Sequence, residues 1–435
     1  MMLKKESLVS SPVSDISGTV DIPGDKSISQ RALCLGAMAK GTTTVSGFLL
    51  GQDCISTMEA LSSFGVKFEL EGTNLRIISR GLKNFTAPKK DLDLGNSGTG
   101  MRLLMGLLSS STFSTRLSGD NSLSRRPMER LAEPLRLMGA RIKTSNGCAP
   151  VEIIGSSHLK GINYDLPAAS AQLKSAILLA SLNSEGRTVI RSPGPSRDHT
   201  ERMFKSIGID LNYGIEVSIV GPQELSPSHL SVPKDFSSAA FFIVAGLLNS
   251  KDGVLIPEVN MNYTRIGLLK ILENMGARFE ISNKRKIGEE SIADIFVKKT
   301  DLKGLTVDPS LISLSIDELP ILFIAAACAE GITQITGAKE LRFKESDRIS
   351  AMSEGLKNLG VKTIEKDDGI VIYGGKIKEG IVDSLGDHRI AMSFVIAGMK
   401  SEGDIYINNT KNIDTSFPDF VDKANKLGLK VIKSK

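Results

Sequence analysis

Residues 138–144 read Met-Gly-Ala-Arg-Ile-Lys-Thr, and residues 275–281 read Met-Gly-Ala-Arg-Phe-Glu-Ile. Looser copies stand at 64–70 (FGVKFEL), 207–213 (IGIDLNY), 359–365 (LGVKTIE) and 427–433 (LGLKVIK). In each copy a helical pattern runs up to the glycine, and β-branched or alternating residues follow it. A glycine in that position ends a helix, because it enters the left-handed region without a Cβ clash. The alternation that follows is a strand's. The six glycines lie 68–84 residues apart and together span the 435-residue chain. The chain is thus six copies of one supersecondary unit, each of which needs stacking partners to bury its apolar face.

A second phrase has the same period. A small-residue apolar helix leads to Gly41, Gly186, Gly253, Gly331 and Gly403, and each glycine opens onto a strand. The second unit lacks this glycine but keeps the helix (MRLLMGLLSSS) and the strand (FSTRLSG). Each unit therefore reads helix, strand, helix, strand, with further strand material before the next. The first helix of each unit is apolar nearly all round, as in SSAAFFIVAGLL and ELPILFIAAACA, so it is expected to be buried. The second is amphipathic, as in DRISAMSEGLKNLG, and is expected to cover an outer face. Six buried helices imply two domains of three, separating near SVPKDFSSAA.

Composition narrows the function. A 41% hydrophobic and 24% charged chain is globular, and its length suggests at least two domains. A net charge of +5 is too dilute for nucleic-acid binding, but it suits anionic small molecules if the cations cluster. With no Trp and five Tyr, stacking platforms are not expected. Cys34, Cys54, Cys148 and Cys328 show no CxxC spacing, and the four histidines no HExxH, so neither a metal site nor a disulfide framework is expected. The N-terminal stretch has no signal-peptide core, and the longest apolar runs are about half a membrane span. A cytoplasmic protein that binds neither membrane nor nucleic acid is expected.

The buried helices begin with polar residues. The six starts carry Asp25-Lys26-Ser27 with Arg31; Gly95-Asn96-Ser97-Gly98-Thr99 with Arg102; Ser170-Ala171-Gln172 with Lys174; Asp235-Phe236-Ser237-Ser238; Asp317-Glu318; and Asp387-His388-Arg389. Asp, Ser and Asn are ordinary N-caps. Lys26, Arg31 and Arg389 are not, because a cation there opposes the helix dipole. Cations beside helix N-termini together suit an anion. The outer helices add Arg125, Arg126 and Arg197, and Lys344-Glu345-Arg348. On a helix, Lys344 and Arg348 would share one face, two cations with a carboxylate between them. GDKS lacks the P-loop frame, and GNSGTG is not GxGxxG.

These residues carry a resemblance. PGDKSISQRAL (23–33), LGNSGTGMRLL (94–104), RRPMERLAEPLRLMGA (125–140), PAASAQLKSAILLA (167–180), SRDHTERM (196–203), IDELPILFIAAA (316–327), LRFKESDRISAM (341–352), GDHRIAMSF (386–394) and TSFPDF (415–420) occur in family order. In these the chain resembles the EPSP synthase (3-phosphoshikimate 1-carboxyvinyltransferase) family of enolpyruvyl transferases, over nearly its whole length. The resemblance implies an α/β fold: a two-domain inside-out α/β barrel of six helix–strand repeats, helices inside and sheets outside. It implies an N-terminal lobe at 22–231, and a C-terminal lobe made of 1–21 plus 232–435.

The resemblance also implies an activity. It is transfer of the enolpyruvyl group of phosphoenolpyruvate to the 5-hydroxyl of shikimate 3-phosphate, without metal or organic cofactor, by a monomer. Asp317 then receives the hydroxyl proton and Glu345 donates one to the methylene carbon, with Lys26 and Lys344 near the reacting centre. Shikimate 3-phosphate falls to Lys26, Ser27, Arg31, Ser170, Gln172, Arg197, Asp317 and Lys344. Phosphoenolpyruvate falls to Lys26, Gly98, Arg126, Gln172, Arg348 and Arg389. His388 is either an assistant to Arg389 or a plain helix-start residue.

Several positions depart from the family. Many members carry Lys before the T-F-P triplet, where this chain reads Asp414-Thr415-Ser416-Phe417-Pro418, so one phosphate contact is lost or supplied elsewhere. Ala171 replaces a second Ser, and Glu340 an Asn. SRDHTERM and RRPM resemble the divergent second class, which often has Ala where this chain has Gly98. Glyphosate, a phosphonate that competes with phosphoenolpyruvate in this family, is expected to inhibit. The rival UDP-N-acetylglucosamine enolpyruvyl transferases carry a reactive Cys in the loop matching SLSRRPM, and none stands here. A non-catalytic repeat scaffold would place its charges on outer faces, not at buried helix starts.

Overall fold

The computed structural model describes residues 6–156, 158–214 and 216–434. Among these residues twelve α-helices follow in pairs, an inner one and then an outer one: α1 (Lys26–Met38) and α2 (Gln52–Ser62), α3 (Gly98–Leu108) and α4 (Glu129–Leu137), α5 (Ala171–Ser181) and α6 (His199–Ser206), α7 (Phe236–Asn249) and α8 (Gly267–Asn274), α9 (Leu319–Cys328) and α10 (Arg348–Asn358), α11 (His388–Gly398) and α12 (Phe420–Lys426). Every residue of α7 and α11 is buried, and all but one in α3 and α9. The outer helices bury one side, as α10 does with Ile349, Met352 and Leu356. The repeated glycines at 65, 139, 208, 276, 360 and 428 all have φ between 79° and 106°. Each therefore ends its outer helix in a conformation that costs an L side chain strain.

The chain divides into two units: residues 1–23, 233–285 and 291–435 form unit 1, and residues 24–232 with 286–290 form unit 2. Each has its own hydrophobic core, built on three inner helices. One repeat is strand, inner helix, parallel strand, outer helix, antiparallel hairpin. In unit 2 the clearest case is Leu92–Asp93 parallel to Thr115–Ser118, which pairs antiparallel with Cys148–Ile154 and through it with Arg141–Ser145. The second arm of that hairpin is the further strand material that the sequence places before the next unit.

Two repeats exchange their leading strands. Gly18–Thr19, which precedes α1, lies parallel to Val254–Asn260 in unit 1. His229–Ser231, which precedes α7, lies parallel to Lys40–Ser46 in unit 2. In the last repeat Lys430–Lys433 is one hairpin arm, and the strand Leu8–Ser11, from the other end of the sequence, lies where the second arm would.

Inner helices approach closely where glycine allows it. A Cβ on Gly106 of α3 would stand 2.3 Å from the Ala176 carbonyl oxygen of α5. In unit 1, Phe417 and Phe420 pack against Phe241 and Phe242 of α7 with ring centroids 5.6–5.9 Å apart, and against each other at 5.4 Å. The TSFPDF segment is therefore held by core packing, whatever its flank contributes to a ligand.

Candidate active site

In unit 2 the polar starts of α1, α3 and α5 are bound into one another. Asp25 caps α1 by accepting from Ile28 N at 2.9 Å. That leaves Lys26, the first helical residue, to meet Asp53 of α2 at 3.1 Å, with both side chains largely buried. Arg31 lies five residues further on, and each of its three guanidinium nitrogens makes a hydrogen bond. It donates to Thr200 Oγ1 at 2.8 Å, Ser175 Oγ at 2.7 Å and the Ser27 carbonyl at 2.9 Å. All three partners are neutral. Burial, with a smaller push from nearby Arg197, therefore pulls the Arg31 pKa down to about 10 against the pull of Glu201 and Asp25.

Ser97 caps α3 through Gly100 N and is itself held by Gln30 Nε2 at 2.8 Å. Gly98 follows as the first helical residue. Arg126 reaches back to this start, donating to the Asn96 carbonyl at 3.2 Å, Asn96 Oδ1 at 2.6 Å and Ser122 Oγ at 3.1 Å. Its neighbour Arg125 is exposed. A Cβ on Gly98 would lie 2.7 Å from Arg126 Nη1, so the glycine makes room for that guanidinium. Gln172 ties α5 to α3: its amide nitrogen donates to Thr99 Oγ1 at 2.7 Å, and its oxygen accepts from Arg102. Ser170 caps α5 through Leu173 N. Arg197 stands just before α6, half-buried.

Unit 1 holds the carboxylates. Asp317, just before α9, meets Lys344 at 3.3 Å, Arg348 at 3.3 Å and Arg389 at 3.8 Å. Glu345 meets Arg348 at 2.6 Å. Arg348 is 1% exposed and also binds Asp387, at 2.8 Å. Burial disfavours its charge, but Asp387, Glu345 and Asp317 outweigh that and hold its pKa above the ordinary guanidinium value. Asp387 does two jobs, since it also caps α11 through Arg389 N. His388, the first residue of α11, is buried.

One detail corrects the sequence reading. Lys344 and Arg348 do not share a helical face. Asp347 caps α10 by accepting from Ser350 N, so the helix begins at Arg348 and Lys344 lies in the turn before it. They converge because both reach Asp317.

The structure thus brings Asp317, Lys344, Glu345, Arg348 and Arg389 together in unit 1. It gathers Lys26, Ser27, Arg31, Gly98, Arg126, Ser170 and Gln172 at three helix starts in unit 2, with Arg197 at a fourth. Sequence reasoning missed Asp53, Thr200 and Ser175, which hold Lys26 and Arg31 in place; it singled out Asn96 as part of a helix start but not as the partner of Arg126. Asp53 is an acid in the first turn of an amphipathic helix, where dipole pairing explains it equally well. Among the described residues, no group of three or more His, Cys, Asp or Glu gathers as a metal site.

The helix-start cations of unit 2 can bind anions, and the cations of unit 1 with Asp317 and Glu345 can bind anions and move protons. The profile of the EPSP synthase (3-phosphoshikimate 1-carboxyvinyltransferase) family matches residues 10–424. The chain belongs to this family. It is 49% identical to the 3-phosphoshikimate 1-carboxyvinyltransferase of Methylococcus capsulatus and 48% identical to that of Ruthia magnifica, over 97% of each chain in both cases. The solved EPSP synthase of Acinetobacter baumannii superposes with a TM-score of 0.87 at 46% identity, covering 99% of this chain and 100% of that one. The enolpyruvyl transferase NikO of Streptomyces tendae, at 17% identity and TM-score 0.79, shares the fold. The chain is an enzyme of the shikimate pathway, and its fold is that of the enolpyruvyl transferases. No helix among the described residues is long and apolar enough to cross a membrane.

Proposed function

We propose that this chain, as a cytoplasmic monomer, joins phosphoenolpyruvate to the 5-hydroxyl of shikimate 3-phosphate through the residues above. Lys26, Ser27, Arg31, Ser170, Gln172 and Arg197 take the shikimate phosphate, and Asp317 and Lys344 the ring. Lys26, Gly98, Arg126, Gln172, Arg348 and Arg389 take phosphoenolpyruvate. In the addition step the hydroxyl oxygen bonds to C2 of phosphoenolpyruvate, Asp317 accepts the hydroxyl proton, and Glu345 gives a proton to the C3 methylene. In the elimination step Glu345 takes a proton back from C3, the C2–O bond to phosphate breaks, and the proton held by Asp317 leaves with the phosphate.

The observation that carries this reading is the cluster of Asp317 and Glu345 on one buried arginine. Glu345 is ion-paired with Arg348, so it needs a proton before it can act as an acid. A phosphoenolpyruvate anion competing for Arg348 weakens that pair and frees the carboxylate. The test mixes the protein with both substrates, measures phosphate release and weighs the product. Asp317→Asn and Glu345→Gln are each expected to leave substrate binding measurable and to cut turnover roughly 10²–10⁴-fold, the span of general acid–base catalysis. A variant keeping more than about a third of wild-type turnover overturns its assigned role. Light scattering tests the monomer.

A further inference from the structure

Unit 2 has a cavity of about 270 Å³ at the opposite end of α1 from Lys26. The thirteen-residue helix separates the two ends by about 18 Å. Its lining includes Met38, Lys40, Arg80, Leu82, Lys83 and Leu225, with Glu224 its single carboxylate.

The charge arrangement there is unusual for a sheet. Lys40 and Arg80 are direct cross-strand partners, so both side chains project from the same face. Like charges directly opposite each other destabilise a strand pair. Glu224 meets Lys83 at 2.9 Å, and that pairing, with a smaller pull from Lys40, holds its carboxyl below the ordinary value. Three cations therefore share one carboxylate. Lys40, Arg80 and Lys83 are all exposed, and the two surplus positive charges of this lining suit an anion. Met38, Leu82 and Leu225 form an apolar wall beside them: Met38 is buried in the core of unit 2, and the other two pack against it. The Gly81 backbone lies in the same wall, against Lys40.

We propose that this cavity binds a small organic anion, a phosphate or carboxylate group carried on an apolar body, at a site separate from the helix starts. Lys40 and Arg80 take the anionic group, and Met38, Leu82 and Leu225 the body. This does not depend on the proposed catalytic roles.

The test is a titration of the full-length protein, labelled with ¹⁵N-glycine, with phenyl phosphate. The amide of Gly81 reports this cavity, and that of Gly98 reports the helix starts. The Gly81 signal is expected to move saturably, and about fivefold more weakly in Lys40→Gln/Arg80→Gln, the effect of losing exposed charge contacts worth about 1 kcal/mol together. The double variant is also expected to melt higher than wild type without ligand, because the like-charge contact is gone, and to keep wild-type turnover. Three results overturn the proposal: a Gly81 signal that does not move, one that moves equally in the double variant, or one that moves as far with inorganic phosphate alone. The last removes the role of the apolar body.

Discussion

At the scale of single residues, Gly98 and Arg31 make the sharpest demands. The Cβ of Gly98→Ala falls 2.7 Å from Arg126 Nη1, inside any real contact distance. The obstacle is the end of a flexible side chain, so the helix start survives and the guanidinium moves. Arg126 then loses alignment with Asn96 and presents its charge elsewhere. The expected outcome is competitive inhibition of the wild type by glyphosate, with a higher inhibition constant in Gly98→Ala and a modest rise in KM for phosphoenolpyruvate. Equal inhibition constants in the two proteins would mean that Arg126 does not set the space. Arg31 gives a pH dependence. Its pKa in the folded protein is about 10, below the ordinary 12.5, so it is charged at neutral pH and loses its proton as pH rises through about 10. If it holds the shikimate phosphate, kcat/KM for shikimate 3-phosphate falls on that alkaline limb. Arg31→Lys changes the position of the limb. A profile unchanged by this substitution removes Arg31 from the binding set.

At the scale of elements, Asp387 shows how a cap and an ion pair can be separated. It accepts from Arg389 N to start α11, and it holds the buried guanidinium of Arg348. Asn caps as well as Asp but carries no charge. Asp387→Asn therefore keeps the cap and breaks the pair, which costs roughly 3–5 kcal/mol when one partner of a buried pair is removed. Asp387→Ala loses the cap as well, about 1 kcal/mol more. Urea midpoints of the two variants against wild type measure both quantities, and equal midpoints for wild type and Asp387→Asn would show that Glu345 and Asp317 satisfy Arg348 alone. The same residue marks the limit of what the sequence reveals. The six-fold period, the inner and outer helices and the polar starts are legible because apolar periodicity and a helix-ending glycine are local signals. Asp387 reads locally as a cap, and only the fold brings Arg348 to it from 39 residues away. The exchanged leading strands and the N-terminal strand of the last sheet are equally non-local. Nothing in Leu8–Ser11 states that its partners begin at Ile405 and Lys430.

At the scale of the whole molecule, each unit has its own core, and no residue belongs to both. The chain passes between the units four times, after residues 23, 232, 285 and 290. Unfolding as a single transition requires coupling beyond these connections, because each core is large enough to fold cooperatively by itself. Two buried thiols report the cores separately. Cys34 in α1 belongs to unit 2, and burial, against the pull of Arg31, pushes its pKa up to about 12. Cys328, at the end of α9, belongs to unit 1; it keeps a margin of exposure, while burial of its thiol pushes it equally far up. The reactive species is the thiolate, so both are inert in the folded protein at neutral pH, and each becomes labelled when its unit opens and its pKa returns to about 8.5. Iodoacetamide pulses along a urea series, read by peptide mass, therefore trace two curves from one sample. Cys148 is half-exposed, and is labelled without denaturant as an internal control. The expected outcome is two distinct midpoints for Cys34 and Cys328, with Asp387→Asn moving only the Cys328 curve. Coincident midpoints in wild type, or a Cys34 curve that follows the Asp387→Asn substitution, would show the units to be one cooperative body.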